Sequence, residues 1–365
     1  MSPATLLPRA LNRATLDRQL LLRRTAMPLL EAIEHLAGLQ AQTPHTWYHG
    51  LWCRLTGFDP DALGALLTER KVVRMALMRS TIHLVTARDC LAMRPLVQPV
   101  IERSMASNFG RNLVGLDADA VDTAARALLE DRPMIFRELG RALAQRWPDR
   151  DPDSLAQAVR ARVPLVQVPP RGVWGRSGRP AHTTVEHWLG RGVDPTPSID
   201  ELVLRYLAAF GPASVLDAQT WSGLTRLAEV FDRLRSGLVT FRDEGGRELF
   251  DLPGAPRPDP DTPAPPRFLY DYDNLLLSHA DRSRVVTPAV HQQGYRERNV
   301  MPSLLLVDGV TRGEWRITRA GGTATLAVRP FDPLSGADGA AVAEEGARLL
   351  AFAAPGDAPE VRFAQ

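Results

Sequence analysis

The residues best suited by type and spacing to chemistry are two glutamines, Gln40 and Gln42, in the segment Gly38-Leu39-Gln40-Ala41-Gln42-Thr43-Pro44. Each amide offers a carbonyl acceptor and two N–H donors, enough to hold a water or the edge of a substrate. At i and i+2 they do not share a face within one helix. Where a helix runs out into a loop, both amides can still converge on one point. Taken bare, the pair reads first as surface or capping groups. Lys71 is the single lysine of the chain. An amine of lowered pKa is what covalent catalysis would need, but Glu69-Arg70-Lys71 reads as a solvated helix end. His83, between Ile82 and Leu84, reads as a partly buried strand histidine.

Other site chemistries lack their residues. Cys53 and Cys90 cannot build a disulfide framework or a zinc site by themselves. There is no Asp/Glu cluster with ligand spacing and no glycine-rich phosphate loop. No metal and no cofactor are therefore expected.

The elements that must position the glutamines are helices followed by hairpins. Thr15 suits the N-cap of a helix over Leu16–Arg24, and Pro28 the first turn of a second helix running to about Gln40. Helices are expected around Thr46–Leu55 and from Asp61 to Lys71. Val72–Met78 and Thr81–Thr86 then read as strands around a turn at Arg79-Ser80. This order, short helices and then a hairpin, is that of a winged helix-turn-helix. It recurs with helices at Ala118–Glu130, Ile135–Trp147 and Asp153–Val163 and strands at Val166–Val168 and Gly172–Trp174. A third round has helices at Ile199–Phe210, Val215–Trp221 and Leu224–Leu234 and strands at Leu238–Phe241 and Glu248–Leu252. The Pro-rich stretch from Pro253 to Pro266 reads as a linker or long loop. Beyond it, strands are expected at Arg267–Tyr272, Ser303–Val307, Gly313–Thr318 and Thr323–Arg329, with a hairpin at Asp308-Gly309 and a helix at Ala340–Ala353.

Composition bounds the partners. The chain of 365 residues carries a net charge of +2, with 44% hydrophobic and 24% charged residues. It is long enough for two or three domains and has no apolar run that spans a bilayer. The segment from Met1 to Leu16 lacks the apolar stretch of a secretory signal. No membrane partner and a cytoplasmic location are expected. Residues 1–114 hold 14 basic and 8 acidic side chains, a surplus of +6 that leaves −4 for the remainder. Such asymmetry points to an N-terminal surface that meets something anionic, nucleic acid first. A solvated helical surface reads the same way.

Ordered blocks along the chain sharpen this. Leu36-Ala37-Gly38-Leu39-Gln40-Ala41-Gln42, then Gly50-Leu51-Trp52-x-Arg54-Leu55, then Met78-Arg79-Ser80-Thr81-Ile82-His83-Leu84-Val85 resemble the AlkZ/YcaQ family of DNA glycosylases. So do Phe210-Gly211-Pro212-Ala213, Trp221-Ser222-Gly223-Leu224, Tyr272-Asp273-Asn274 with Ser278-His279-x-Asp281-Arg282, and Leu306-Val307-Asp308-Gly309 with Gly313-x-Trp315-Arg316. The resemblance spans nearly the whole chain, and it rests on the order of the blocks rather than on any one of them.

The resemblance implies an α+β fold of about three tandem winged helix-turn-helix units forming a C-shaped molecule, with a small C-terminal β-barrel. The expected units are 1–114, 115–195, 196–256 and the barrel 257–365. It implies hydrolysis of the glycosidic bond of N-alkylated purines, with Gln40 and Gln42 matching the family's Gln-x-Gln motif. That form is linked to crosslink unhooking and antibiotic self-resistance. A guanine alkylated at N7 is already cationic and a good leaving group, so positioned amides can suffice. The expected partner is double-stranded DNA carrying alkylated purines, met by a monomer without an obligate protein partner. Two hairpins are candidates to read the groove: Arg79–His83, with Arg79, Thr81 and His83, and His279–Arg284, with His279, Arg282 and Arg284. A non-catalytic winged-helix regulator or adduct-binding shield, and a binder of small molecules, are the competing readings.

Overall fold

The computed structural model describes residues 3–295 and 301–364; Met1, Ser2, 296–300 and Gln365 lie outside the described residues. Most helices begin at side-chain caps. Asp117, Asp151 and Ser198 accept backbone N–H bonds at the starts of Ala118–Asp131, Pro152–Arg162 and Ile199–Phe210. Ser214 and Asp217 form a reciprocal capping box on Val215–Ser222. The first helix departs from expectation. It spans Pro8–Arg18, because Pro8 supplies the fixed φ of a first turn and the chain leaves the helix before Leu20, at φ 58°. Thr15 is therefore interior, and its hydroxyl donates to the Leu11 carbonyl. Helices at Ala87–Leu96 and Gln98–Phe109 were hidden in the sequence by Pro95 and Pro99; Pro99 sits in a first turn, where proline is tolerated.

The second helix is short, Leu29–His35. Ala37 (φ 54°) and Gly38 (φ 83°) then reverse the chain into strand β1, Leu39–Gln40. Any larger residue at 38 would combine left-handed backbone with a Cβ 2.6 Å from Val85 Cγ1. Gln40 thus lies on a strand, not at a helix end. β1 joins β2 (Val72–Ala76), β3 (Ile82–Thr86), β4 (Leu165–Gln167) and β5 (His182–Thr184) in a sheet of order β1-β3-β2-β4-β5. Strands from 1–114 and 115–195 therefore share one sheet. Gly172–Trp174, expected as a strand, is a loop: the Tyr48 hydroxyl donates to the Gly172 carbonyl and accepts from Trp174 N, occupying groups a ladder would need.

Helices cover both faces of this sheet, so β2 is buried at every position instead of alternating. Met75, Val85 and Val166 face the core of the helices at 199–234, including Tyr206, Phe210 and Trp221. Leu39, Ala41 and Leu84 face Trp47, Tyr48 and Leu63.

The hairpin β6 (Val239–Arg242) with β7 (Glu248–Asp251) stands apart as a two-stranded sheet. The C-terminal strands are β8 (Arg267–Phe268), β9 (Leu304–Val307), β10 (Val310–Ala320), β11 (Thr323–Pro330) and β12 (Ala358–Phe363). They form an open sheet of order β12-β11-β10-β9-β8 and not the expected closed barrel; among the described residues β8 and β12 do not pair. The reason is the last crossover. β12 runs parallel to β11, which requires a long connection, and the helix Gly336–Ala353 supplies it while packing Val342, Leu349 and Leu350 over Leu326 and Val328. A helix covers the face that closure would otherwise have buried. The hairpin turn at Asp308-Gly309 forms, both residues having positive φ.

The N-terminal charge surplus is largely consumed inside the molecule. Arg13, Arg18, Arg24 and Arg54 pair with Asp308, Asp251, Glu345 and Asp273, all from the acidic remainder of the chain. The proline-rich stretch packs on the first helix, where the Arg9 and Arg13 Nε atoms donate to the Pro260 and Thr262 carbonyls. Among the described residues, no helix is long and apolar enough to cross a membrane.

Candidate functional site

β1 is an edge strand. Its register pairs Gln40 with His83 and Leu39 with Leu84. Ala41 N–H continues the ladder to the Ile82 carbonyl at 2.7 Å. Gln40 is consequently the residue whose own N–H and C=O point away from the sheet, and these buried groups must find other partners. Asn274 and Tyr270 provide them. Gln40 N–H donates to Asn274 Oδ1 at 3.2 Å, and the Tyr270 hydroxyl donates to the Gln40 carbonyl at 3.0 Å. Asn274 also donates to the Leu36 and Gly38 carbonyls, closing the reversal that precedes the strand.

These two supports are themselves fixed. Asp273, fully buried, receives a fork of two bonds from Arg54 at 2.9 and 2.8 Å. The Tyr270 ring packs on Gly50, where a Cβ would lie 2.6 Å from Cε1. On the opposite face of the sheet, Arg74 donates to the Ala41 carbonyl at 2.7 Å and stacks over Trp47 at 4.5 Å. Arg74 has no carboxylate partner among the described residues, and burial pulls its pKa down to about 9.

The backbone of the motif is thus held at residues 40 and 41, and strand alternation places the Gln40 and Gln42 side chains on one face. Gln40 Nε2 donates to Gln42 Oε1 at 2.6 Å. Gln40 is 3% exposed, whereas Gln42 is exposed. The buried amide therefore orients the solvent-facing one. Arg79 Nη2 donates to Gln40 Oε1 at 2.6 Å, and its Nη1 donates to the Trp221 carbonyl. Because a guanidinium only donates, the Gln40 oxygen must face Arg79 and its NH2 must face Gln42.

Of the residues expected to read DNA, the structure gathers Arg79 and His83 around the glutamines. His83 is 1% exposed, with Nδ1 3.0 Å from the Thr81 carbonyl. Burial, aided by Arg79, pushes its pKa down to about 3, so it is neutral and cannot serve as a proton relay near neutral pH. The Thr81 hydroxyl turns back to the Met78 carbonyl within the turn. The segment His279–Arg284 is not a hairpin: it has no strands, and His279 and Arg284 are buried while Asp281 and Ser283 are exposed. His279 Nε2 lies 3.1 Å from the Phe210 carbonyl and its Nδ1 3.1 Å from the Ser278 hydroxyl. Arg284, 8% exposed, donates to Thr15 Oγ1 and to the Pro212 carbonyl. Arg282 is half-buried, with Nη1 3.5 Å from the Leu276 carbonyl. Arg284 thus ties the first helix to the corner at 210–217, and none of the three shares a hydrogen bond with the glutamine pair.

Sequence reasoning missed Tyr270, Asn274, Asp273, Arg54 and Arg74 as parts of the site. Asn274, Asp273 and Arg54 signal themselves only as members of ordered blocks, and Tyr270 not at all, because their partners lie some 200 positions away in the chain. Among the described residues there is no group of three or more His, Cys, Asp or Glu that could hold a metal ion. What remains is an amide pair with a single solvent-facing end.

The family described as DNA glycosylase AlkZ-like matches residues 33–352, which contain every element of this site. The chain belongs to that family. Among solved structures, the DNA glycosylase AlkZ of Streptomyces sahachiroi has the same fold, with a TM-score of 0.79 over 99% of this chain and 100% of that one at 20% identity. No curated protein matches by sequence. Membership in the family makes DNA the substrate on which the amide pair must be read.

Proposed function

We propose that the chain is a monofunctional DNA glycosylase that hydrolyses the N-glycosidic bond of N-alkylated purines, N7-alkylguanine above all. Bulky adducts and interstrand crosslinks left by DNA-alkylating antibiotics fall within the same reading. The carrying observation is the Gln40–Gln42 pair, a buried amide bonded at 2.6 Å to an exposed one. Gln42 presents an NH2 and the second lone pair of Oε1 to whatever approaches. That lone pair can hold the attacking water, and the fixed dipoles lie where charge develops on the deoxyribose.

Amides suit only a good leaving group. A positioned dipole is worth roughly 10²–10³ in rate, well short of what a neutral purine requires and enough for a cationic one. His83, paired with Gln40 across the sheet, is held neutral by burial with its pKa pushed down to about 3, which suits a leaving group that departs without protonation. Hydrolysis without strand cleavage is supported by the position of Lys71. It is exposed and lies four residues along the chain from Met75, the residue that pairs with His83, or roughly 13 Å of strand. That separation sets the amine apart from the glutamine pair. Approach from the minor-groove side by a monomer with an open channel would leave a crosslinked base in its duplex.

Incubation with duplex DNA containing N7-methylguanine, and separately an N7-linked crosslink, tests this. Alkali-labile sites should appear with the wild type and vanish with Gln40→Ala or Gln42→Ala. Base release unaffected by either substitution, or a borohydride-trapped protein–DNA adduct, would refute it.

A further inference from the structure

We infer that Arg79 is a positioning residue for the glutamine pair rather than a contact to the DNA backbone; this rests on the reading of Gln40 and Gln42 given above. A basic side chain at the tip of a hairpin is ordinarily taken to reach a phosphate. Here the guanidinium is turned inward. Nη2 is bonded to Gln40 Oε1 at 2.6 Å and Nη1 to the Trp221 carbonyl, and the residue is only half-exposed. Among the described residues no carboxylate pairs with it, and burial lowers its pKa to about 10, which leaves it charged at neutral pH. A half-buried cation without a counter-ion is retained at some cost, and the neutral groups it serves are a backbone carbonyl and the motif amide.

The bonds form one directed chain. Arg79 donates to Gln40, Gln40 donates to Gln42, and Gln42 Nε2 has no protein acceptor among the described residues. A cation at the head of such a chain polarises each amide in turn, so the free NH2 of Gln42 becomes a stronger donor than an isolated amide. It also forbids the flipped Gln40 rotamer, in which the NH2 would face the guanidinium and an oxygen would face Gln42 Oε1. The exposed amide is thus held in one orientation before DNA arrives.

The backbone under Arg79 is built to keep the side chain there. Arg79 (φ 54°, ψ 20°) and Ser80 (φ 61°) both occupy the left-handed region, which non-glycine residues disfavour. Arg160 clamps the turn from the helix Pro152–Arg162, donating to the Ser80 carbonyl at 2.7 Å and to its hydroxyl at 3.2 Å. Gly223 makes room on the other side; its own Cβ would lie 3.4 Å from Arg79 Cα. Helices from two distant segments therefore hold a strained turn whose product is the placement of one guanidinium on Gln40.

The test uses Arg79→Gly, which suits the left-handed backbone and so preserves the turn, and Arg79→Lys, which keeps the charge but not the fork. Single-turnover base release at saturating enzyme and Kd for N7-methylguanine DNA are measured across salt concentrations. Arg79→Gly should lower the single-turnover rate by on the order of 10²-fold, as expected for a displaced reacting group. Its Kd should stay within about threefold of wild type, with the salt slope unchanged. Arg79→Lys should fall between the two. A rate restored at saturating Arg79→Gly, together with weaker Kd and a salt slope reduced by about one, would make Arg79 a phosphate contact and overturn the inference. If Gln40→Ala is inactive while Arg79→Gly releases base at the wild-type rate, the assignment to Arg79 alone fails. If Gln40→Ala itself releases base normally, it is the reading of the pair that fails.

Discussion

Gly50→Ala offers a test of how tightly the site is held from a position that touches no substrate. Gly50 lies inside the helix Thr46–Trp52, where alanine normally stabilises by about 1 kcal/mol. Here the added Cβ would meet Tyr270 Cε1 at 2.6 Å and Cδ1 at 2.7 Å. Carbon contacts settle at about 3.5–4.0 Å, so the ring must move by about 1 Å. Tyr270 is 1% exposed, and its hydroxyl is 3.0 Å from the Gln40 carbonyl, so that bond does not survive the shift. Overpacking costs about 1–3 kcal/mol and the lost bond about 1 kcal/mol, against the helix gain of about 1 kcal/mol. The variant should be net destabilised by about 1–3 kcal/mol in urea unfolding. Its single-turnover base release should fall by on the order of 10²-fold, because a displacement near 1 Å reaches the motif backbone. Gly339→Ala is the control: it lies in the helix Gly336–Ala353, and its Cβ would meet nothing within 4 Å, so it should stabilise. A Gly50→Ala protein that is more stable than wild type and equally fast would refute the claim that Tyr270 fixes Gln40.

Other expectations follow from the same geometry. The single-turnover rate should be flat from about pH 5 to 8, since amides do not titrate and burial leaves His83, Arg74 and Arg79 with pKa values of about 3, 9 and 10; a limb in that window would point to a further acid or base at the site. His49, His83 and His182 are held neutral by burial, with pKa values pushed down to about 4, 3 and 3. Above pH 6.5 this has no effect on stability. Below it the unfolded chain takes up protons that the folded chain refuses; with His279, likewise pushed down to about 3 by burial, stability should fall by up to about 5 kcal/mol per pH unit down to about pH 4. Equal urea midpoints at pH 7 and pH 5 would contradict this. Asp273→Ala strands the buried Arg54 and should cost about 3–5 kcal/mol, while the double variant Arg54→Met, Asp273→Leu should recover much of it in thermal unfolding. A single variant as stable as wild type would show that the pair holds nothing.

Local signals carried far in this chain. Pro28 precedes the second helix as expected, and Ile199–Phe210 falls where it was read. The turn at Arg79-Ser80 and the hairpin at Asp308-Gly309 were readable because short-range rules govern them. Family membership, too, was legible in the order of blocks along the chain. Pro95 and Pro99 concealed two helices, since a proline near a helix end looks in sequence like a break.

Pairing across the chain was decided only by the tertiary structure. Whether Gln40 ends a helix or begins a strand depends on β3, more than forty residues away, and strand geometry is what puts Gln40 and Gln42 on one face. The arginine surplus of residues 1–114 looked like a surface for an anion, but Arg13, Arg18, Arg24 and Arg54 meet their carboxylates between residues 251 and 345. Composition counts charges without saying which are buried against each other. The inward turns of His279 and Arg284, and the burial that leaves Arg79 facing an amide, have the same origin. The residue types of the site are a property of the sequence. Their orientation comes from the partners that only folding brings within hydrogen-bond reach.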